Sequence, residues 1–288
     1  MENSFADLLE RLGYNVLRKR DTKSGLDIIA EFKGQPKSKE QFQECTLLPP
    51  AFSPDAKDIS AFSLKAGNFG SKDVKELVDK VKRATKLEDE VLKKLRGKVI
   101  VTNYSKTETE IDRLRLENIF CWDIRRLIFY SAKAEAIQNL ARMSEVEEVS
   151  ITGIDGLIGA SYLRGTVIGE NGILTNIVIF VDSHDSKLIV SSDHMTKMLI
   201  YICEKSLKTL VKESQNKINV KFEVHILGLA NEELLKSSYS QYSRDFALHP
   251  KILFNDEPFL FNMPQLLGLY FSGNIDYRVL SSFSTLSS

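Results

Sequence analysis

Residues 25–32 read GLDIIAEF, and residues 59–66 read ISAFSLKA. Both runs are short, largely apolar and bounded by turn-forming residues, which is the pattern of a buried β-strand. Residues 41–48 (QFQECTLL) follow a polar turn at 33–39 and predict a hairpin partner for the first strand. The three prolines Pro49, Pro50 and Pro54 predict a loop before the strand at 59–66.

Helical patterns surround these strands. The first helix has apolar residues at helical spacing, ends at Gly13, and places on one side Phe5, Leu8, Leu9 and Leu12. A long amphipathic helix is predicted over 73–96, followed by a strand at 98–103 (KVIVTN), a helix at 107–117, a strand at 119–123 and a helix at 124–130. Alternating strands and helices predict an α/β fold for residues 1–133, with a mixed sheet flanked by helices.

The pattern changes in the second half of the chain. Residues 134–149 are charge-rich and predict a helical connector. From residue 150, strands are predicted at 151–159, 162–169, 173–182 and 220–229, with helices from Met195 and over 232–246 before an apolar, aromatic tail. We therefore expect a second, α+β domain over 150–288, for substrate selection, dimerisation or docking of a partner.

Composition restricts the class of protein. The chain has 288 residues, is 43% hydrophobic, and has no apolar run of the ~18 residues that a membrane span needs. Its three cysteines are far apart, which favours a reducing cytoplasm over a disulfide framework. Residues 1–133 carry 26 Lys and Arg against 21 Asp and Glu, whereas the remainder carries 13 against 18. A basic first half suggests a polyanionic partner.

Charged residues occur in a suggestive order along the first half. Glu10 lies on the first helix, Asp27 at the start of a strand, Glu44 on the predicted hairpin partner and Lys65 on the third strand. Carboxylates on adjacent strands can share one face, and two of them can bind Mg²⁺ while leaving positions for water and phosphate. A nearby lysine can stabilise charge on phosphoryl oxygens.

These segments also resemble a known family. The runs FADLLERLGYNV (5–16), SGLDIIAEF (24–32), FQEC (42–45), GKVIVTN (97–103) and NIFCWDIRRL (118–127) are similar to the Mrr-like restriction endonuclease branch of the PD-(D/E)xK nuclease superfamily. The resemblance covers about residues 1–130. It implies a restriction-endonuclease-like fold and a Mg²⁺- or Mn²⁺-dependent endonuclease that hydrolyses DNA, in bacterial antiphage defence or restriction.

The resemblance also assigns residues. It implies Asp27 and Glu44 as metal ligands and Glu10 as an accessory carboxylate. The family's motif places a lysine two residues after the glutamate, but Thr46 stands there in this chain. Lys65 is the first candidate for a displaced motif lysine, and Lys82 on the following helix is the second.

Basic residues near these positions are candidates for phosphate contacts. Four of them precede the Asp27 strand, namely Arg18, Lys19, Arg20 and Lys23. Lys82 is also a candidate, but it belongs to a helix rich in both lysine and acidic residues, for which a solvated face with ion pairs between successive turns is the simpler explanation.

Three functions remain open from the sequence. The first is a DNA endonuclease that acts as a homodimer or as a hetero-oligomer with a partner protein, because cutting both strands takes two sites. The second is a catalytically weak or inactive nuclease-like subunit that binds nucleic acid or a partner nuclease, for which Thr46 is the main support. The third is a ribonuclease or a structure-specific repair nuclease.

Overall fold

The structure is a computed structural model that describes residues 2–37, 43–104, 106–157, 159–169, 172–183 and 218–228, together with residues 194, 197–198, 201–202 and 205–206. The chain divides into two compact units, Met1–Gln138 and Asn139–Ser288. The division falls within a helix, close to the start of the expected connector at 134–149.

The first unit alternates strands and helices along the chain. Its elements are α1 (Glu2–Arg11), β1 (Tyr14–Asp21), β2 (Leu26–Phe32), β3 (Cys45–Thr46), β4 (Ile59–Lys65), α2 (Ser71–Ala84), α3 (Glu90–Lys93), β5 (Leu95–Thr102), α4 (Glu108–Leu116), β6 (Phe120–Trp122) and α5 (Ile124–Ala141).

Five of these strands form the first sheet, in the order β1-β2-β4-β5-β6. The pairs β1–β2 and β2–β4 are antiparallel, and the pairs β4–β5 and β5–β6 are parallel. The sheet is therefore mixed, as expected. The crossovers between the parallel strands are helical: α2 and α3 connect β4 to β5, and α4 connects β5 to β6.

Helices cover both faces of this sheet because consecutive strand residues point in opposite directions. Ala61 and Ile29 belong to a buried cluster with Leu77 and Val81 of α2. Phe62, the next residue on β4, packs instead against Phe5 of α1, with ring centroids 5.7 Å apart. Trp122 extends this second cluster and has no solvent exposure, while its indole nitrogen donates to the Phe52 carbonyl. Helices α1 and α2 thus lie on opposite faces.

Several expectations for the first unit need correction. The neighbour of β2 on one side is β1, which the sequence analysis missed, and on the other side is β4. The expected hairpin between 25–32 and 41–48 was wrong: of the described part of that run only Cys45–Thr46 is a strand, and β3 lies outside the first sheet. The apolar run at 59–65 is longer and more completely buried, so it pairs with β2 instead.

The long helix expected over 73–96 was also too long. Helix α2 begins at Ser71 and ends at Ala84, α3 is a single turn that Asp89 caps, and β5 begins at Leu95. The carboxylate of Asp89 accepts the backbone N–H groups of Val91 and Leu92, which starts α3 as a separate helix. A continuous apolar periodicity therefore concealed two helices and the start of a strand.

The second unit contains a second mixed sheet. Strands β7 (Val146–Ser150), β8 (Ala160–Gly169), β9 (Gly172–Ser183) and β10 (Ile218–Gly228) lie in the order β10-β9-β8-β7. Strand β8 is antiparallel to β7 and β9, whereas β10 is parallel to β9. The connector expected to be helical over 134–149 is helical only to Ala141, and β7 occupies its end.

Other expectations for the second unit are only partly covered. The strands expected at 162–169, 173–182 and 220–229 correspond to β8, β9 and β10, while 151–157 contains no strand. The helix expected from Met195 is described only at isolated positions, and the helix at 232–246 and the tail lie outside the described residues. Among the helices that the structure describes, none is long and apolar enough to span a membrane.

Candidate active site

One end of the first sheet gathers the start of β2 and the carboxyl ends of β4, β5 and β6. This arrangement arises because β2 runs antiparallel to β4, whereas β5 and β6 run parallel to it. Ligands in open α/β sheets bind outside the carboxyl ends of parallel strands. We call this end of the sheet the Asp27 end. The opposite end, where β2 ends and β4 begins, is the Glu10 end.

Asp27 is half-buried on the second residue of β2. Its Oδ2 accepts a hydrogen bond of 2.7 Å from the backbone N–H of Leu64 on β4. In the antiparallel register Ile28 lies opposite Phe62, so the next residues in line are Asp27 and Ser63. The bond to Leu64 fixes the carboxylate against the neighbouring strand.

Lys65 is the last residue of β4 and shares the α2 face of the sheet with Ser63, two residues before it. Residues diagonal to one another across an antiparallel pair lie about 7–8 Å apart, and Asp27 and Lys65 stand in this relation. The Lys65 ammonium contacts two carboxylates of α2, Asp73 at 3.0 Å and Glu76 at 3.8 Å. Asp27 and Lys65 are therefore neighbours at one end of one face.

Helix α2 supplies a further charge beside these residues. Glu76 also contacts Lys80 at 2.7 Å. A Cβ added at Gly25 would lie 3.5 Å from Cε of Lys80, which places the Lys80 side chain next to the start of β2. Sheet and helix residues at this end thus form a group of alternating charge, the Asp27 cluster, consisting of Asp27, Lys65, Asp73, Glu76 and Lys80.

The α2 carboxylates of the Asp27 cluster are held in their charged form. A hydrogen bond from the backbone N–H of Gly70, followed by one from Lys65, lowers the pKa of Asp73. Contacts with Lys80, and then the charge of Lys65, lower the pKa of Glu76. At neutral pH Asp73 and Glu76 therefore carry the negative charges that hold Lys65.

Loops at the Asp27 end are tied to one another by hydrogen bonds. Lys65 lies directly opposite Thr102 in the parallel pair of β4 and β5. The Thr102 hydroxyl donates to the Gly67 carbonyl at 2.7 Å, and the Gly67 N–H donates to Oδ1 of Asn103 at 2.8 Å. The ammonium of Lys106, 3% exposed, donates to the Phe69 carbonyl and contacts Asn68 and Glu110.

Glu10 lies at the Glu10 end and not with Asp27. Its backbone carbonyl accepts from the N–H of Lys37, and its carboxylate contacts the Lys37 ammonium at 3.6 Å. Helix α1 ends at Arg11 and leads into Tyr14, which pairs with Phe32 at the far end of β2. Asp27 and Phe32 are five residues apart, or roughly 17 Å along a strand. The structure therefore does not bring the expected accessory carboxylate to Asp27.

Glu44 is likewise separate from Asp27. It is exposed, directly precedes β3, and lies on no strand of the first sheet. Three residues further on, the N–H of Leu47 donates to the carbonyl of Gly34, beyond the end of β2 that is remote from Asp27. The expected pair of carboxylates on adjacent strands, Asp27 and Glu44, is therefore not formed, because β4 and not residues 41–48 pairs with β2.

The four basic residues before the Asp27 strand divide into two kinds. Arg18 contacts Asp89 at 2.6 Å and Asp21 at 3.3 Å, and the hydrogen bond with Asp89 raises its pKa above the ordinary value. Arg20 pairs with Glu2. Lys19 and Lys23 are exposed, and Lys23 lies in the turn between β1 and β2 that leads to Asp27. Only Lys23 is thus both exposed and in the turn that leads directly to the Asp27 end.

Lys82 lies two turns further along α2 than Asp73 and Glu76, away from Lys65. It is exposed and close to Lys98 of β5. Burial lowers the pKa of Lys98, Asp58 opposes this effect, and the charge of Lys82 adds to it. Of the two candidates for the displaced lysine, the structure places Lys65 beside Asp27 and Lys82 elsewhere.

The carboxylates at the Asp27 end are the donors that a divalent cation would use. Within the described residues no group of three or more His, Cys, Asp or Glu side chains could hold a metal by itself. Mg²⁺ is nevertheless commonly bound through one or two carboxylates together with substrate phosphates. One oxygen of Asp27 is engaged by Leu64, and the other oxygen fits a ligand of this kind.

The α2 members of the Asp27 cluster were not predicted from the sequence. Asp73 was treated only as the start of a helix, and Glu76 and Lys80 as parts of a solvated face. A signal was present: Gly67 and Gly70 allow a tight connection between Lys65 and α2, so the first turns of this helix must return past the end of β4.

Comparison of the chain with protein-family models, with curated proteins and with solved structures found no match. The chemistry assigned to the Asp27 end therefore depends on the residues of this chain and on the resemblance noted in its sequence.

Proposed function

We propose that the chain is a Mg²⁺- or Mn²⁺-dependent endonuclease that hydrolyses DNA phosphodiester bonds, in bacterial restriction or antiphage defence. The observation that carries the proposal is the juxtaposition of Asp27 and Lys65 at one end of β2 and β4, where a carboxylate fixed by Leu64 lies diagonally from a lysine. A carboxylate can bind a divalent cation and an ammonium can neutralise a phosphoryl oxygen, and both contribute to phosphodiester hydrolysis.

The strand order supports the resemblance to the PD-(D/E)xK superfamily through the residues of β4, and not through the motif expected at Glu44. The superfamily's pattern ends in a lysine two residues after a carboxylate. Strand β4, which neighbours the strand of Asp27, reads Ser63-Leu64-Lys65. On this interpretation Lys65 is in the regular position of the motif lysine, and Ser63 stands where the second carboxylate is expected.

Each residue of the site has a defined task in this proposal. Asp27 and a substrate phosphate would hold the metal ion, which when bound supplies a Lewis acid and a water of lowered pKa. The bond from Leu64 keeps Asp27 oriented, so little reorganisation is needed when substrate arrives. Ser63, two residues before Lys65, carries a hydroxyl that can donate to a phosphate oxygen.

Lys65 would exchange partners during the reaction. Its ammonium is now shared between Asp73 and Glu76, with about a quarter of the side chain exposed (23%). A phosphate that enters beside Asp27 competes with these carboxylates for the lysine, since it offers a second site of negative charge at close range. Asp73 and Glu76 then position Lys65 in the absence of substrate, and Lys80 balances Glu76.

DNA is the proposed substrate and duplex cleavage the proposed outcome. Cutting two strands needs two such sites, so we propose that the chain acts as a homodimer or with a partner protein. The basic surplus of residues 1–133 supports a nucleic-acid substrate, as does the exposed Lys23 in the turn before Asp27.

A cleavage assay over several substrates tests the proposal. Supercoiled plasmid, linear duplex, single-stranded DNA and RNA are each incubated with wild type and with Asp27→Asn, in Mg²⁺, Mn²⁺ or EDTA. We expect metal-dependent cleavage of DNA by wild type and a loss of roughly 100-fold or more in Asp27→Asn. Asparagine is chosen because its oxygen can still accept from Leu64, so that the fold is retained.

Two results would contradict the proposal. Equal cleavage by wild type and Asp27→Asn would mean that the activity belongs to another site or a contaminant. Binding of nucleic acid without cleavage, in any metal, would favour the second function below. Preference for RNA would retain the site and change the substrate class to that of a ribonuclease.

A second function is favoured by one specific observation, the distance of Glu44 from Asp27. With a single sheet carboxylate at the Asp27 end, a catalytically weak or inactive subunit that binds nucleic acid or a partner nuclease is the natural alternative. Restoring a second carboxylate by Ser63→Glu separates the two. If the chain is a weak nuclease we expect faster cleavage by Ser63→Glu in Mg²⁺, whereas a pure binding subunit would stay inactive.

A further inference from the structure

An exposed aromatic residue lies at the Asp27 end. Four large hydrophobic residues are exposed in the described part of the chain, namely Leu87, Tyr104, Leu116 and Met143. Tyr104 is the aromatic member of this group and leaves 54% of its surface exposed. It lies two residues after the last residue of β5, at the end of the sheet that carries Asp27 and Lys65.

Tyr104 is held close to Lys65 by the strand register. Lys65 and Thr102 are direct partners on neighbouring strands, and such strands lie about 4.8 Å apart. Two further residues add at most about 7 Å, so the Cα atoms of Tyr104 and Lys65 lie within about 12 Å of each other. A nucleotide bound at Asp27 and Lys65 therefore has Tyr104 within reach of its own or the next base.

The position of Tyr104 is also fixed in advance. Its N–H donates to the Thr102 hydroxyl at 3.1 Å, and its carbonyl accepts from the N–H of Ile124 at 3.4 Å. The same Thr102 hydroxyl donates to Gly67, which ties the loop after β5 to the loop after β4. An aromatic ring on a backbone ordered in this way loses little conformational entropy on binding.

We propose that Tyr104 stacks on an unpaired nucleobase of the substrate, so that the Asp27 end accepts a single strand or a distorted duplex in preference to intact B-form DNA. This proposal rests on the proposed function and narrows its substrate, because a duplex would then be cut where its bases are unpaired or its helix is distorted. Every base has a π-face, so stacking on tyrosine is independent of sequence. Bases inside an intact duplex are already stacked and offer no such face.

Binding of short oligonucleotides tests this inference separately from cleavage. Fluorescence anisotropy is measured with a labelled 12-nucleotide single strand and with the matched duplex, for wild type and Tyr104→Ala, in EDTA. The measurement is repeated with Mg²⁺ in the Asp27→Asn background. We expect Tyr104→Ala to weaken binding of the single strand roughly 5- to 100-fold and that of the duplex less than twofold.

Matched variants isolate stacking from other effects. Tyr104→Trp retains an aromatic face and should bind the single strand at least as tightly as wild type. Leu116→Ala removes a comparably exposed apolar side chain, 89% exposed, at the end of α4 that is remote from Asp27. It should leave both affinities unchanged. A strand that carries 2-aminopurine should lose fluorescence on binding wild type, and less on binding Tyr104→Ala.

The possible results are distinguishable. If wild type binds the single strand and Tyr104→Ala binds it equally well, the stacking inference is wrong while the proposed nuclease function stands. If wild type prefers the intact duplex, the assigned substrate class is wrong. If wild type binds no nucleic acid under either condition, both proposals fail together.

Discussion

The two ends of the first sheet carry similar residues in different surroundings. Each has a lysine paired with a carboxylate: Lys65 with Asp73 at 3.0 Å at the Asp27 end, and Lys37 with Glu10 at 3.6 Å at the Glu10 end. Lys65 is 23% exposed and contacts two carboxylates of α2, whereas Lys37 is 65% exposed and belongs to a chain segment beyond β2. Residue type alone therefore does not identify a site.

The two ends differ in how many strands and helices bring polar side chains together there. Strands β2 and β4 and helix α2 all reach the Asp27 end, and their polar side chains meet where the parallel strands finish. At the Glu10 end the contacts are mainly backbone hydrogen bonds, such as those from Lys33 and Gly34 to the Gly13 carbonyl. The first arrangement gathers charge for a ligand, and the second closes a turn. The four predictions below test this contrast.

The largest difference is expected between the carboxylate of Asp27 and the carboxylates at or beyond the other end. Asp27→Asn should reduce metal-dependent cleavage roughly 100-fold or more, because the side chain no longer offers a charged oxygen to the metal ion. Glu10→Gln and Glu44→Gln, at or beyond the other end, should change the rate less than twofold. Single-turnover cleavage of one labelled substrate measures all three. An equal loss in Glu44→Gln would mean that Glu44 reaches Asp27 and that the contrast is mistaken.

The lysines should differ in the same way. Lys65→Met should lower the cleavage rate by roughly 30- to 100-fold, because it removes the charge that stabilises phosphoryl oxygens. Lys37→Met removes the corresponding lysine of the Glu10 end and should leave the rate unchanged. Thermal unfolding of both variants provides the control for folding. A rate for Lys65→Met that matches Lys37→Met would exclude Lys65 from the reaction.

For stability, in contrast to activity, the larger effect is expected at the Glu10 end, and two glycines with positive φ allow the test. Gly67 at the Asp27 end (φ +119°) has open space around a Cβ, whereas at Gly13 (φ +93°) a Cβ would lie 3.3 Å from Gln35 N and from the side chains of Leu47 and Phe32. Both alanine variants should lose about 1–2 kcal/mol through backbone strain. Gly13→Ala should lose about 1–3 kcal/mol more through crowding. Urea unfolding measures the difference, and equal losses would show that the turn at Gly13 can relax.

The smallest effect concerns the pH dependence of the Asp73 interaction. The folded pKa of Asp73 lies below its ordinary value of 3.8, because of the Gly70 N–H and then Lys65. The resulting stability is therefore present above about pH 4 and is lost as the pH falls through the lower, folded pKa. Asp73→Asn should cost less than about 1 kcal/mol at pH 7 and less at about pH 3 than at pH 7, whereas Glu10→Gln should cost nothing measurable at pH 7. A loss for Asp73→Asn that is the same at both pH values would rule out the charge as its source.

Much of the secondary structure was predictable because its signals are local. The apolar spacing of α1, the compact run of β4 and the Thr107 cap of α4 each depend on a few neighbouring residues. The same locality explains the failures. Helical periodicity continued from α2 across Asp89, although the side chain of Asp89 starts a new helix, and β1 was missed because its residues, including Arg18 and Lys19, are mostly polar.

The candidate site was half predictable for the same reason. Asp27 and Lys65 were recognised as residues at the start and the end of strands. The choice of Glu44 as the partner of Asp27 assumed that adjacent runs in the chain are adjacent in the sheet. Strand pairing depends on all the apolar faces that the fold must bury. The strand that pairs with β2 is β4, whose residues are almost all buried, and not residues 41–48.

Local patterns in the chain were enough to predict a mixed sheet with flanking helices in the first half, and to place an aspartate at the start of one strand and a lysine on another. The three-dimensional arrangement was needed to show that these two residues lie on neighbouring strands at one end of the sheet, that α2 brings Asp73 and Glu76 to Lys65, and that Glu10 and Glu44 lie elsewhere. The physical reason is that periodicity reports which face of an element is buried, whereas the antiparallel register of β2 and β4 brings together residues 37 positions apart.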